Sequence, residues 1–490
     1  MHILTCLLLV STVRALPAAL WTRDDDERWE TVKCSDPNIT DAKVTADVRW
    51  AAADTNASWK EAVAAWQNYK PGEGEVKLKF PAFISDYYGG PEGWDCQDPV
   101  NTPCSTTVQC DETKHPAGFF VLNSFAKLHD VYQKYHESLQ DAQLSISASM
   151  GEFTETFAPI KKGKDQSALT KTILDVLAFG IGIASAGLWN IVLKDAGMFA
   201  VTHLRGFAKD NFNGVLAASF VLTKDNLKAA KDSPSAQNDI TSAMGALFDI
   251  WKKTQGDFLA QIFSGSNATT LGMLDSVIRD GMMNMVPVDI NLSGMVDVVK
   301  TIMFGQMIPI AWKVAPAGYK PFILKTGDAC SDTMPKTLDP YMTQKTHEKT
   351  GVCWNGNQFY VLTVGTYRVD VQVDTPGLPD SDPPFQAMDS ANHDVLDGEK
   401  WGGITLDDVV ISSYSGYLNN GNRNGYNLTL DDTNGAVDQL MWSGGVRTPG
   451  FFALPVCTSL WNTLMQIAGS PEDKPDYPCG VQVERTFKKD

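Results

Sequence analysis

The stretch Phe119–Phe157 reads FFVLNSFAKLHDVYQKYHESLQDAQLSISASMGEFTETF. Within it Val121, Phe125, Leu128, Tyr132, Tyr135, Leu139, Ala142, Ile146 and Phe153 fall at alternating steps of four and three, broken only at Ser149. That spacing lines one side of an α-helix with apolar groups. At 1.5 Å per residue, an unbroken helix over this stretch would run about 55–60 Å. Few compact domains need so long a helix, so its neighbours decide the fold class.

Downstream, SPSAQNDI offers Ser233 as a helix cap and Pro234 at the first helical position. Ile240, Met244, Leu247, Trp251, Phe258 and Ile262 then repeat the helical spacing with one gap. Between the two striped segments lie Val176–Leu193 and NFNGVLAASFVLTKDNLK, and after them come Leu271–Met285 and Met295–Trp312. Residues 117–316 therefore read as a helical bundle, with an apolar helix over 173–193. Methionines at 273, 282, 283, 285, 295, 303 and 307 suit adaptable core packing there.

Upstream, residues 16–116 are polar and punctuated by proline, and WDCQDPVNTPCSTTVQC holds three cysteines. They predict a disulfide-tied, loop-rich region with one short helix around NASWKEAVAAW. Residues 317–490 change texture again. Asn355-Gly356 between β-rich runs signals a hairpin, and TYRVDVQVD at 366–374 alternates as a half-buried strand does. Thr405 ahead of LDDVVISSYSGYL caps a helix with acids in its first turn. The fold class is α+β, predominantly helical: a central helical bundle, a disulfide-tied N-terminal region and a smaller mixed α/β C-terminal region.

The chain opens MHILTCLLLVSTVRA, whose Ile3–Val10 run and small Val13 and Ala15 match a signal peptide over residues 1–15. Removing Cys6 with it leaves Cys34, Cys96, Cys104, Cys110, Cys330, Cys353, Cys457 and Cys479, an even set suited to an oxidising compartment. Proximity favours Cys104 with Cys110 and Cys457 with Cys479. Sequons at Asn38, Asn56, Asn267, Asn291 and Asn427 mark surface positions of a secreted glycoprotein. The net charge of −17 argues against nucleic acid as a partner.

Val176–Leu193, VLAFGIGIASAGLWNIVL, carries no charge. Its GIGIAS lacks the third glycine of a dinucleotide loop and follows no strand. Ala178, Gly182 and Ala186 recur every four residues and allow close helix contact in water or in lipid. Val176, Leu177, Phe179, Ile181, Ile183, Leu188, Trp189 and Ile191 are then the candidates for conditional membrane contact. Paired with Met295–Trp312, the segment is similar in layout to the hidden hairpin of α-helical pore-forming toxins. The competing reading is a buried helix of a soluble bundle.

Other sites are sparse. His129 and His136 lie two turns apart, too far to share one metal, and fit core-edge packing. NGNRNGYNLTLD places Asn420, Asn422, Asn424 and Asp431 at positions 1, 3, 5 and 12 of a candidate calcium loop, although asparagines bring no charge. A glycine-asparagine turn explains the same residues. The chain has neither HExxH nor G-x-S-x-G. Carboxylates such as Asp370 with Asp374, or Asp407 with Asp408, make no glycosidase pair without distances.

WGGITLDDVV, NNGNRNGY, SGGVRTPGFFALPVC and, nearer the start, GWDCQDPVNTPCSTTVQC with HPAGFFVLNSFAKLHDVYQKY resemble a set of secreted filamentous-fungal proteins of unknown function. The resemblance implies an extracellular location and carries no catalytic residue. No catalytic residue and no cofactor is therefore assigned. The expectation is a non-catalytic secreted interaction protein with an unknown extracellular partner, membrane-active or toxin-like through residues 176–193. The alternatives are an extracellular carbohydrate-active hydrolase and a soluble effector-type binding module.

Overall fold

A computed structural model of the chain describes residues 28–41, 43–100, 104, 107–157, 240–286, 292–314, 320–364, 383–426, 428, 445–469 and 478–479. Residues 1–15, 173–193, 233–239 and 366–374, where a signal peptide, an apolar helix, a helix cap and a strand are expected, lie outside these.

The long helix forms as one piece. Pro116–Phe157, here α4, runs for 42 residues, and every member of the four-three stripe is buried. Where Ser149 interrupts the stripe, Met150 fills the core instead, 1% exposed.

Among the described residues the N-terminal region is more helical than its prolines suggest. Ahead of Cys96 come Arg28–Thr31, Pro37–Thr40, α1 (Ala46–Ala52), α2 (Thr55–Asn68) and α3 (Phe80–Tyr88). Pro37 and Pro81 sit in first turns, where a missing N–H leaves no ladder bond unmade. These helices clasp the first half of α4: Trp59 meets Phe125 at 5.8 Å and Phe80 meets it at 6.3 Å.

The disulfides are Cys34–Cys110, Cys96–Cys104, Cys330–Cys353 and Cys457–Cys479. The expected Cys104–Cys110 bond is thus wrong. Cys110 opens a 3-10 turn beside the first helix, where Trp29 packs on His115 at 5.0 Å, and that contact delivers Cys34 to it.

Helix α5 (Ile240–Ile262) lies antiparallel along α4, pairing Tyr132 with Phe258 at 6.1 Å and Tyr135 with Trp251 at 6.4 Å. After α6 (Ala268–Ile278), α7 (Ser293–Val314) crosses the other half of α4, with Phe153 and Phe304 5.9 Å apart. Its Gly294–Trp312 window is long and apolar enough to cross a membrane, yet 61% of that window is buried. Met295, Met303, Met307 and Trp312 are core residues. In this fold α7 is a core helix of the bundle that turns Asp297 and Lys300 outward, while 176–193, its expected partner in an inserting hairpin, lies outside the described residues.

The sheet holds β1 (Phe322–Ala329), β2 (Gly351–Trp354), β3 (Asn357–Val364), β4 (Phe385–Gln386) and β5 (Val456–Cys457), in the order β2-β3-β1-β5 with β4 against β3. Asn355 and Gly356, at φ +49° and +74°, make the expected hairpin turn. Strand alternation separates two cores. Ile323, Val352, Phe359 and Val361 face the large core that extends from Ile39 to Val456, while Phe322, Leu324, Tyr360 and Leu362 face a smaller one. Between β1 and β2 lies α8 (Gln344–Thr350). Helix α9 (Leu406–Asn419) starts at a Thr405–Asp408 capping box and packs Tyr414 on Phe359 at 4.9 Å. Helix α10 (Leu460–Gly469) lays Leu460, Leu464 and Ile467 on the small core.

Candidate functional site

The second half of α4, the start of α7 and the loop before α9 enclose a cleft of about 450 Å³. Ser145, Ser149 and Glu152 come from one face of α4; Asp297, Lys300 and Phe304 come from one face of α7; Gly398–Gly403 closes the third side. The serine that breaks the stripe is therefore a cleft residue.

Trp401 forms the floor. It is 5% exposed and stands edge-on to Phe153, Phe157 and Phe304 at 5.8, 5.1 and 5.6 Å. Its φ of +53° is followed by +72° at Gly402 and +77° at Gly403. A bulky residue in this region is strained by about 1–3 kcal/mol, a cost that surrounding structure must offset. Thr301 Oγ1 donates to the Gly402 carbonyl, and a Cβ on Gly402 would lie 2.5 Å from the Thr301 backbone. Only glycine fits against α7 there.

The rim is polar. Asp397 Oδ1 accepts from the Glu399 amide at 2.8 Å and the Lys400 amide at 3.4 Å, bonds that hold its carboxyl below the usual range. They also set the loop that carries Lys400, whose ammonium bonds Glu152 Oε1 at 2.6 Å and is pushed up by it. Lys300 approaches Asp297 at 3.9 Å. Both partners of the Lys400–Glu152 pair are more than half exposed, so solvent and salt screen it. Three carboxyl groups, two ammoniums and two hydroxyls thus ring an apolar floor. Such a lining can hydrogen-bond the hydroxyls and amides of a polar, uncharged ligand. Among the described residues no group of three or more His, Cys, Asp or Glu is placed to hold a metal ion.

Among the described residues, the site candidates singled out in the sequence lie away from the cleft. Val176, Leu177, Phe179, Ile181, Ile183, Leu188, Trp189 and Ile191 fall outside the described residues, as does Asp431. Asn420 donates to the Arg423 and Asn424 carbonyls at 3.0 and 3.2 Å, and Asn422 takes φ +60°. The Asn424 amide is exchanged with Val456, donating at 3.2 Å and accepting at 2.8 Å, which ties this turn to β5. His129 is buried and bonds the Asp98 carbonyl through Nε2 at 2.9 Å. Asn38, Asn56 and Asn267 are exposed, while Asn291 and Asn427 lie outside the description. Asn267 also caps α6, accepting from the Thr270 amide at 3.0 Å.

The cleft is hard to see in the sequence because its three parts are separated by more than ninety residues. Two local signals point to it: the break at Ser149 and the run Trp401-Gly402-Gly403.

Two relatives from Penicillium expansum align along most of the chain. One, named secreted chitinase LysM12, is 27% identical over 489 residues, covering 90% of this chain and 31% of its own length. The other, named probable chitinase LysM18, is 26% identical over 495 residues, covering 92% and 33%. The chain thus spans about a third of the length of these curated relatives. No family model matches the chain. No solved structure matches it. The resemblance to secreted fungal proteins holds, and with four disulfides it places the chain outside the cell. The expectation of a non-catalytic interaction protein, toxin-like through 176–193, is corrected: relatives named as chitinases favour the carbohydrate-active hydrolase held as its alternative.

Proposed function

We propose that the chain acts in the extracellular hydrolysis of chitin-type polysaccharide and that the Trp401 cleft holds the sugar chain. The observation that carries this reading is the alignment of 90% of the chain with a protein named as a secreted chitinase. The cleft suits it chemically. Chitin is neutral and rich in hydroxyl and acetamido groups, and the rim offers carboxylate and hydroxyl acceptors beside lysine donors.

Glycoside hydrolysis needs one carboxyl to protonate the leaving oxygen and a second to activate water or attack the sugar carbon. Glu152, Asp297 and Glu399 are the cleft's carboxyl groups, and the pair is drawn from these three. Lys400 bonds one oxygen of Glu152 at 2.6 Å.

The test is release of reducing ends from N-acetylchitohexaose by the purified chain, together with hydrogen exchange across 145–152, 297–304 and 397–403. Turnover is expected, and Glu152→Gln, Asp297→Asn or Glu399→Gln at an essential position should lower it by about 10²–10⁴. Protection of the cleft without turnover would assign bond cleavage to the part of the relatives outside the matched third. Neither protection nor turnover would sink the reading.

A further inference from the structure

A second surface has chemistry suited to a sugar chain, at the opposite end of α4. Trp66 and Tyr69 on and just after α2, with Phe83 and Tyr87 on α3, form one half-buried row. Successive ring centres are 5.9 Å apart for Trp66–Tyr69, 4.9 Å for Tyr69–Phe83 and 6.4 Å for Phe83–Tyr87. The first and last of these pairs are near parallel, at 21° and 28°. Phe80, between the row and α4, packs on Phe125. Phe125 and Phe153 are 28 positions apart on one helix, which at 1.5 Å per residue is about 42 Å. The row is therefore remote from the Trp401 cleft.

The rings are held in place and their surroundings are polar. The Trp66 indole N–H donates to the Gly265 carbonyl at 2.8 Å, and the ring edge meets Phe80 at 5.3 Å. Lys77, from an exposed loop, lays its ammonium over one face of Trp66, 5.3 Å from the ring centre. Burial, with the charges of the exposed Glu61 and Glu30, pushes the Tyr87 phenol up. Asp86 is exposed beside Tyr87.

We infer that this row is a second carbohydrate-binding surface that takes a flat run of a β-linked N-acetylglucosamine polymer; the inference rests on the chitin-directed reading above. Pyranose rings present C–H faces that stack on aromatic rings, and their equatorial hydroxyls reach carboxylates at the ring edges. Pre-fixed side chains lose little freedom on binding, which favours affinity. A row, unlike a pocket, can lie on the surface of a solid polymer. The surrounding charges disfavour other occupants: an apolar segment would strand Glu30, Glu61 and Asp86 without water, and a polyanion would meet these three carboxylates against the ammonium of Lys77.

The experiment uses the full chain, insoluble chitin powder and soluble N-acetylchitohexaose. Tyr69→Ala/Tyr87→Ala is expected to lower retention on chitin powder by about tenfold, with the circular dichroism spectrum and the cleft's handling of hexaose unchanged. Tyr69→Phe/Tyr87→Phe keeps the ring faces and should retain binding. Retention by the alanine variant equal to that of the parent, or loss in the phenylalanine variant as large as in the alanine one, would overturn the inference. If hexaose still reaches the cleft in that case, the reading of the cleft survives. Failure of the parent chain to engage either chitin or hexaose would overturn both.

Discussion

The two halves of α4 share one helix and one apolar stripe, yet only the first is enclosed. From Pro116 to Tyr135 the buried set includes off-stripe residues such as Leu122, Ser124, Ala126 and Val131. From His136 to Phe157 it shrinks to Ser138, Leu139, Ala142, Ile146, Met150, Phe153 and Phe157, and Leu144 is 66% exposed. The difference separates two uses of a helix. The first half is scaffold, clasped by the disulfide-tied helices; the second packs on one side and lends its other side to the cleft through Ser145, Ser149 and Glu152.

The same substitution placed in both halves breaks or confirms this contrast. Ala126 and Ala148 are 22 positions apart, roughly six turns, so they project from nearly the same side of α4. Ala126 is 5% exposed and Ala148 is exposed. Ala126→Asp buries a charge without a designed partner, and the expected loss is about 3–5 kcal/mol of unfolding free energy, read from urea denaturation. Ala148→Asp should stay within about 0.5 kcal/mol. Equal losses would mean that the two halves are enclosed alike.

What the sequence makes legible follows the same division. The stripe identifies α4 from end to end, since helical periodicity is local and strong over forty residues. The Asn355-Gly356 turn and the Thr405 cap are legible for the same reason: each signal lies within four residues. Of the N-terminal helices, the one around NASWKEAVAAW is legible and forms as α2, whereas Pro37–Thr40 and α3 are hidden by prolines that read as breakers but occupy first turns. The Cys34–Cys110 bond closes over 76 residues, a pairing that proximity along the chain cannot suggest. The cleft is least legible, because Glu152, Asp297 and Trp401 meet only after α4 and α7 have packed.

Gly402 sharpens the contrast from the cleft side. It combines φ +72° with a Cβ position 2.5 Å from the Thr301 backbone. Gly402→Ala therefore meets both a disfavoured conformation, worth about 1–3 kcal/mol, and a clash that α7 must relieve by moving. A lowered thermal midpoint is expected, together with altered protection at Thr301 and Trp401. A variant as stable as the parent would show that the loop is not locked against α7 and that the Trp401 floor is adjustable.

The smallest expected effect tests enclosure by pH. His129, in the first half, and His136, at the start of the second, both have imidazoles held below the ordinary value of 6.5 chiefly by burial. At His129 the Asp98 carbonyl and the charges of Asp130, Asp98 and Asp95 oppose the shift; at His136 Lys252 adds to it. A depressed imidazole binds fewer protons in the folded chain than in the unfolded one. Its contribution to stability is therefore present above pH 6.5 and is lost as pH falls through that value towards the folded pKa. His129 is 1% exposed and His136 half-buried, so the enclosed site should dominate. His129→Gln should flatten the dependence of unfolding free energy on pH between about 7 and 5 more than His136→Gln does, with one proton per chain as the upper limit. A larger flattening in His136→Gln would place the tighter enclosure in the second half of α4 and reverse the assignment of scaffold and site.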